Sequence, residues 1–237
     1  MMKRSMILAS IISLVCISAV SFGGYNVMWG EMGMEFSQDN MMMPSDDGDG
    51  TFSLSETWDF SAEGMGYCDM TYINLDYKED PWVQSGFSVI NTAPYAQTFT
   101  FTFTSPVDPD LTLDTIVDGS MSGSWSSGSL DGTTITTVSG SPLFEGFIDG
   151  TSELSIYDDP SSWIDTNPFG SGNITEVNLD SFAGPSPVTT DLEIVFTFTL
   201  SPGDAATMNG RMEIVEVPEP ATMVLLGLGG LLLRRRQ

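Results

Sequence analysis

Between residues 51 and 216, apolar and polar positions alternate one by one instead of recurring at helical spacing. The clearest run is Thr98-Phe99-Thr100-Phe101-Thr102-Phe103-Thr104, in which every second side chain is a phenylalanine. A strand turns successive side chains to opposite faces, so this run predicts a strand with one face buried and one face wet. Ile194, Phe196 and Phe198 alternate with Val195, Thr197 and Thr199 in the same way, as do Ile73, Leu75 and Tyr77, followed by Phe87 and Val89. Shorter runs predict strands over residues 52–60, 113–120, 133–138, 144–148, 153–157, 174–179 and 211–217, with Gly, Pro, Asp and Asn punctuating them. Ser201-Pro202-Gly203-Asp204 predicts a tight turn before the last strand. No stretch of this body has helical periodicity. Many short strands joined by turns predict an all-β fold, an antiparallel β-sandwich of jelly-roll or immunoglobulin-like kind. Residues 22–50 hold Met41-Met42-Met43, Pro44 and Asp46-Asp47-Gly48-Asp49-Gly50, and predict an irregular N-terminal arm.

The two ends have a different texture. At the start, Lys3 and Arg4 precede a serine-interrupted apolar run, and the small residues Ala19 and Ser21 are placed for cleavage. Residues 1–21 therefore read as a signal-peptide helix for export, recognised by the general secretion machinery and signal peptidase. At the other end, Val217-Pro218-Glu219-Pro220 is followed by the uncharged run 221–233 and then by Arg234, Arg235, Arg236 and Gln237. The prolines can neither extend a sheet nor sit inside a helix, so they hold the segment extended. Residues 221–233 number 13, which as a helix is about 20 Å, short of the ~30 Å hydrocarbon core. Such a short transmembrane helix suits a temporary anchor. The arginines fix its end on the cytoplasmic side.

This tripartite tail, residues 217–237, resembles the PEP-CTERM sorting signal read by exosortases, membrane-embedded cysteine transpeptidases of bacteria that secrete exopolysaccharide. The resemblance is confined to the tail. It implies an exosortase as partner, a transient stay in the inner membrane, and a final place at the cell surface or in the extracellular matrix. It implies nothing about what the body, residues 51–216, does.

Charge narrows the body's function. Of 32 acidic and seven basic residues, 31 acids but only Lys78 and Arg211 lie within residues 22–216, giving that segment a formal charge of −29. Such a surface repels nucleic acid. It favours solubility and could bridge through divalent cations. The chain has no histidine, which excludes Ser-His-Asp and Cys-His catalysis and histidine-ligated zinc. With the signal removed, Cys68 is the one remaining cysteine, so no internal disulfide can form, and a buried, inert thiol is expected.

Three kinds of candidate chemistry remain. Ser45-x-Asp47-x-Asp49-Gly50-x₅-Glu56 follows an EF-hand ligand spacing and makes Asp47, Asp49 and Glu56 a weak calcium candidate. Ser45 stands where the first ligand should be Asp, and Pro44 and a strand-like exit replace the helix pair. Asp108-Pro109-Asp110 with Asp114, and Asp158-Asp159-Pro160 with Asp165, read as turns more readily than as metal sites. Trp58, Trp82, Trp125 and Trp163, with Tyr72, Tyr77 and Tyr95, are compatible with a carbohydrate-binding module, since aromatic faces stack on sugars. Trp125 and Trp163, in Gly/Ser/Pro-rich surroundings, are the expected exposed pair. The sequence thus predicts a non-enzymatic surface or matrix protein associated with exopolysaccharide or biofilm, with carbohydrate binding, calcium-dependent or not, as the alternative. A carboxylate-only glycan hydrolase is the third reading.

Overall fold

The computed structural model describes residues 24–29, 34–36, 45–46, 51–59, 68–78 and 81–217. The signal segment, Asp47, Asp49, Pro218-Glu219-Pro220 and everything after them lie outside the described residues. Fifteen strands and no helix are present among those described: β1 (Gly24–Trp29), β2 (Met34–Phe36), β3 (Ser45–Asp46), β4 (Thr51–Asp59), β5 (Cys68–Lys78), β6 (Trp82–Asn91), β7 (Gln97–Pro106), β8 (Thr115–Ser126), β9 (Thr133–Thr136), β10 (Phe144–Ile148), β11 (Thr151–Ile156), β12 (Ser162–Asp165), β13 (Ser171–Ala183), β14 (Asp191–Leu200) and β15 (Ala205–Glu216). One sheet has the order β11-β10-β14-β7-β1-β2, with β9 joining β14 to β12; the other has the order β13-β8-β15-β6-β5-β4-β3. All strand pairs are antiparallel. The predicted two-sheet antiparallel sandwich is the observed one.

The two clearest alternating runs are neighbours at the centre of the first sheet. β14 pairs with β7 without a break from Asp191↔Pro106 to Leu200↔Gln97. Their threonines meet on the outer face, Thr98 with Thr199 at 3.0 Å between hydroxyls. Two stretches differ from expectation. Within the stretch read as an irregular arm, Gly24–Trp29 is a strand on the far side of β7, from Gly24↔Thr104 to Trp29↔Phe99. It covers the backbone groups that β7 would otherwise present as a bare edge. The Pro/Ser-rich loop around residue 160 contains β12, four residues that pair with β9. A strand that short takes its stability from its partner, and leaves too little alternation to read.

Phenylalanine fills the space between the sheets. Phe87 of β6 lies flat on Phe101 of β7, with centroids 3.7 Å apart and planes 15° apart, and meets Phe196 of β14 edge-on at 5.1 Å. Phe198 runs parallel to Phe101 at 6.3 Å, and Phe144 of β10 meets Phe196 edge-on at 5.0 Å. All five rings are fully buried. Aromatic pairs in these stacked and edge-on arrangements contribute beyond their area. Gly210 of β15 makes room for them, since a Cβ there would fall 2.4 Å from Phe144 and 2.5 Å from Phe196. Cys68 is in the same core, and burial, with help from the Asp69 charge, pushes its thiol up to about 12. It is the inert thiol expected.

Polar groups close the two ends, buried at one and exposed at the other. At one end, Asn91 donates to the carbonyls of Tyr95 and Leu200, each at 2.9 Å, and its Oδ1 accepts from Ala93 N and Gln97 Nε2. The Ser201–Asp204 turn docks there through Gly203 N to Asn91 O at 2.7 Å. At the other end, Asp149 accepts from the backbone N–H groups of Thr189, Thr190 and Asp191. Beside it, burial and then the Asp149 charge raise the Asp191 pKa. Burial and then Asp191 raise that of Glu193, against a lowering hydrogen bond from Thr104.

Two outcomes follow. Phe87→Ala removes a ring packed from both sheets, and should cost about 3–5 kcal/mol of stability in a denaturant titration. The raised carboxylates bind protons more readily folded than unfolded. Their contribution is complete below the ordinary carboxylate range and is lost as pH rises through the raised values. The melting temperature should therefore be higher at pH 5 than at pH 7, and Asp191→Asn should narrow that difference.

Candidate functional site

The core uses only one face of each sheet, so a ligand must meet an outer face, a loop end or the tail. The outer face of the second sheet carries shallow depressions. On β8 the burial alternates, with Val117, Gly119 and Met121 inward and Asp118, Ser120 and Ser122 outward. The register sets Ser120 beside Arg211 of β15, Ser122 beside Asn209 and Ser124 beside Thr207. On the other flank, Asn178 of β13 lies beside Ser120 and Asn173 beside Ser124. Short serines thus form a floor between longer polar side chains. Two shallow depressions of about 240 and 250 Å³ lie over Ser120, sharing Arg211, and a third of about 400 Å³ continues over Ser124 toward Ala205. From Ala205 to Glu213 this groove follows nine residues of one strand, about 27 Å.

The polar groups are held in place. Arg211 pairs with Glu213 at 2.6 Å and lies over the Trp82 ring at 5.3 Å from its centroid. A cation over an indole face is attracted by the ring quadrupole. Asp118 accepts from the Ser181 N–H at 2.5 Å. Thr207 donates to Ser88 at 3.1 Å. Gly86 brings two amides close, since a Cβ there would meet Asn209 Oδ1 and Asn74 Oδ1, each at 2.7 Å.

The expected exposed pair, Trp125 and Trp163, is not a joint platform. Trp125 is in β8 of one sheet and Trp163 in β12 of the other, and both are partly buried against the core. Trp163 packs edge-on to Tyr157 at 5.1 Å. Trp125 lies against Gly172, where a Cβ would fall 2.3 Å from its ring. Trp125 nevertheless lines the third depression, beside Ser124 and Asn173; Trp82, also noted for sugar stacking, carries the Arg211 guanidinium on its ring. Of the calcium candidates, Glu56 lies in β4 opposite Ile73, and Asp47 and Asp49 lie outside the described residues. Asp159 accepts from Thr137 and Gly140, and Asp165 from Asn167, as turn-forming carboxylates do. Among the described residues, no group of three or more His, Cys, Asp or Glu is placed to hold a metal ion.

The tail leaves from the inside of the second sheet. β15 lies between β8 and β6, and its last pair is Glu216↔Thr115. Ile214 N donates to Pro81 O at 3.0 Å, and Val217 N to Asp114 O at 2.7 Å. The Glu216 carboxylate accepts from the backbone N–H groups of Thr112 and Leu113, at 2.7 and 3.1 Å. Val217 is the one residue of the predicted sorting segment whose surroundings are described.

No curated protein matches the chain. Among solved structures, it is similar to a cyclase from Fischerella sp. TAU in complex with 4-(1H-indol-3-yl)butan-2-one, at 9% identity over 59% of this chain and 87% of that one, with a TM-score of 0.24. It is similar also to TmCBM61 in complex with β-1,4-galactotriose, at 10% identity over 70% of this chain and 88% of that one, with a TM-score of 0.26. Overlaps this loose bear on neither fold nor ligand. The match to a family is confined to the end of the chain, where residues 216–237 match the PEP-CTERM protein-sorting motif, which implies an exosortase as processing partner and export to the cell surface. The tail that begins where β15 ends is a PEP-CTERM sorting motif.

Proposed function

We propose that this chain is a non-enzymatic structural or adhesive protein of the bacterial cell surface or exopolysaccharide matrix, delivered there by an exosortase. The observation that carries this reading is the sorting motif itself, set directly on the end of a central strand. Val217, Pro218, Glu219 and Pro220 are the recognised residues. The apolar run after them holds the body at the inner membrane until processing, and Arg234, Arg235 and Arg236 keep its end on the cytoplasmic side. Support for a non-enzymatic role comes from the groove. Of the four carboxylates that line it, Asp118, Glu176, Asp180 and Glu213, three are engaged: Asp118 by the Ser181 N–H, Glu176 by Asn178 and Glu213 by Arg211. A glycan hydrolase needs both carboxyls turned to substrate.

A second reading is favoured by the groove over β8. Its serine floor, its amide walls and its length suit the hydroxyls of an extended neutral polysaccharide better than a compact ligand. Serine, asparagine and glutamine can donate to and accept from hydroxyls, and the carboxylates beside them disfavour an anionic polymer.

Replacing Pro218, Glu219 and Pro220 together with alanine should leave the protein membrane-bound in a host that has an exosortase. Fractionation showing unchanged release would remove the sorting reading. For the groove, the double variant Gln84→Ala with Asn209→Ala should weaken binding to the host's own exopolysaccharide roughly tenfold in affinity electrophoresis. Equal retardation of variant and parent would remove the glycan reading and leave sorting intact.

A further inference from the structure

We infer that the folded body itself sets the upstream limit of processing: the bond cut in the sorting tail lies after Val217, and Glu216 is the positioning residue that holds this limit. The inference rests on the sorting reading above and adds to it a site and a mechanism. Enzymes that cut or transfer peptide bonds take their substrate as an extended segment on both sides of the scissile bond. Backbone already paired in a sheet is available to them only after local opening.

The last residues before the motif's prolines are paired, on both sides as far as Ile214 and on the β8 side from there to Val217. Up to Glu213, β15 has β6 as one neighbour and β8 as the other, and beyond it Ile214 N donates to Pro81 O. Pairing with β8 continues to Glu216↔Thr115. Val217 N then donates to Asp114 O at 2.7 Å. The Glu216 carboxylate adds a second tie from its side chain, accepting two consecutive backbone N–H groups at 2.7 and 3.1 Å. Hydrogen bonds to an ionised acceptor are about twice as strong as neutral ones. The next residue is Pro218, which has no N–H to offer the ladder and holds Val217 extended. Sheet pairing therefore has a chemical stop at the Val217–Pro218 bond. Upstream of it, a cut would require opening the β15–β8 pairing, and from Ile214 back the β6 side as well. The product keeps β15 whole, and any group transferred to the new end is attached at the Thr112–Asp114 side of the sandwich.

Two arms test this. In a host with an exosortase, the C-terminal peptide of the processed protein is read by mass spectrometry. A product that retains Val217 supports the limit, and a product ending before Val217 overturns it while leaving sorting intact. A tail found uncut removes the sorting reading, and the inference about processing falls with it. The second arm needs no exosortase. The full chain in detergent is treated with proteinase K, and the truncation ends are followed in time for the parent, Glu216→Ala and Glu216→Gln. In the parent, trimming should halt at or beyond Val217. Glu216→Ala should lose residues 214–217 roughly tenfold faster, while Glu216→Gln, which keeps an acceptor, should fall between the two. A parent trimmed past Val217 as fast as Glu216→Ala would overturn the role of the clamp. Unchanged melting temperatures of the core across the three proteins would show that the effect is local.

Discussion

The stack of Phe87 on Phe101 joins the two sheets, and the rest of the molecule is arranged around it. The rings face each other across the sheet interface at 3.7 Å, and Phe196, Phe198, Phe144 and Phe103 pack around them. This packing is possible only if every strand keeps its register, because a slip by one residue would turn the phenylalanines to solvent and the threonines inward. The long unbroken pairing of β7 with β14 enforces that register. Gly210 belongs to the same constraint, since it is where the central strand of the opposite sheet gives way to the rings. The outer groove inherits its geometry from this core. Serines point outward on β8 because Val117 and Met121 are fixed inward.

The alternating runs at residues 98–104 and 194–199 disclosed the central strands because both faces of those strands are chemically distinct. Where that contrast is missing, the elements were hidden. Gly24–Trp29 has no clean alternation, and becomes a strand because β7 needs a partner on its open side. Ser162–Asp165 is a strand only because β9 lies beside it. The groove was out of reach for a related reason. Its lining comes from β6, β8, β13 and β15, which are far apart in the chain, and Ser, Asn and Gln at outward positions look like ordinary solvated residues until pairing sets them side by side. The tail was legible because its chemistry is local: proline, an apolar run and arginine in a fixed order. Glu216 carried no such signal. Its role depends on the backbone of Thr112 and Leu113, more than 100 positions upstream.

Charge is distributed with the same economy. Residues 22–216, of formal charge −29, keep only Lys78 and Arg211 as cations, and Arg211 sits in the groove, between a carboxylate and an indole. The acids gather at turns, where Asp149, Asp159 and Asp165 accept backbone N–H groups. The groove has acids too: Asp118, Glu176, Asp180 and Glu213 line it with Arg211, around the serine hydroxyls of β8.

The position of β15 also governs how the protein bears load. On the proposed reading, its tail end is a point of attachment, to the membrane first and to whatever follows processing. Force arriving at Val217 passes first along pairing with β8 alone and, from Glu213 back, along a strand with antiparallel neighbours on both sides. Ladder hydrogen bonds lie perpendicular to such a strand, so a pull along it strains many of them together in shear and does not unzip them one after another. An edge strand tethered from its end could be peeled away at low force. A protein fixed through its central strand is built to stay folded under drag, and the resistance comes from where the chain leaves the sheet.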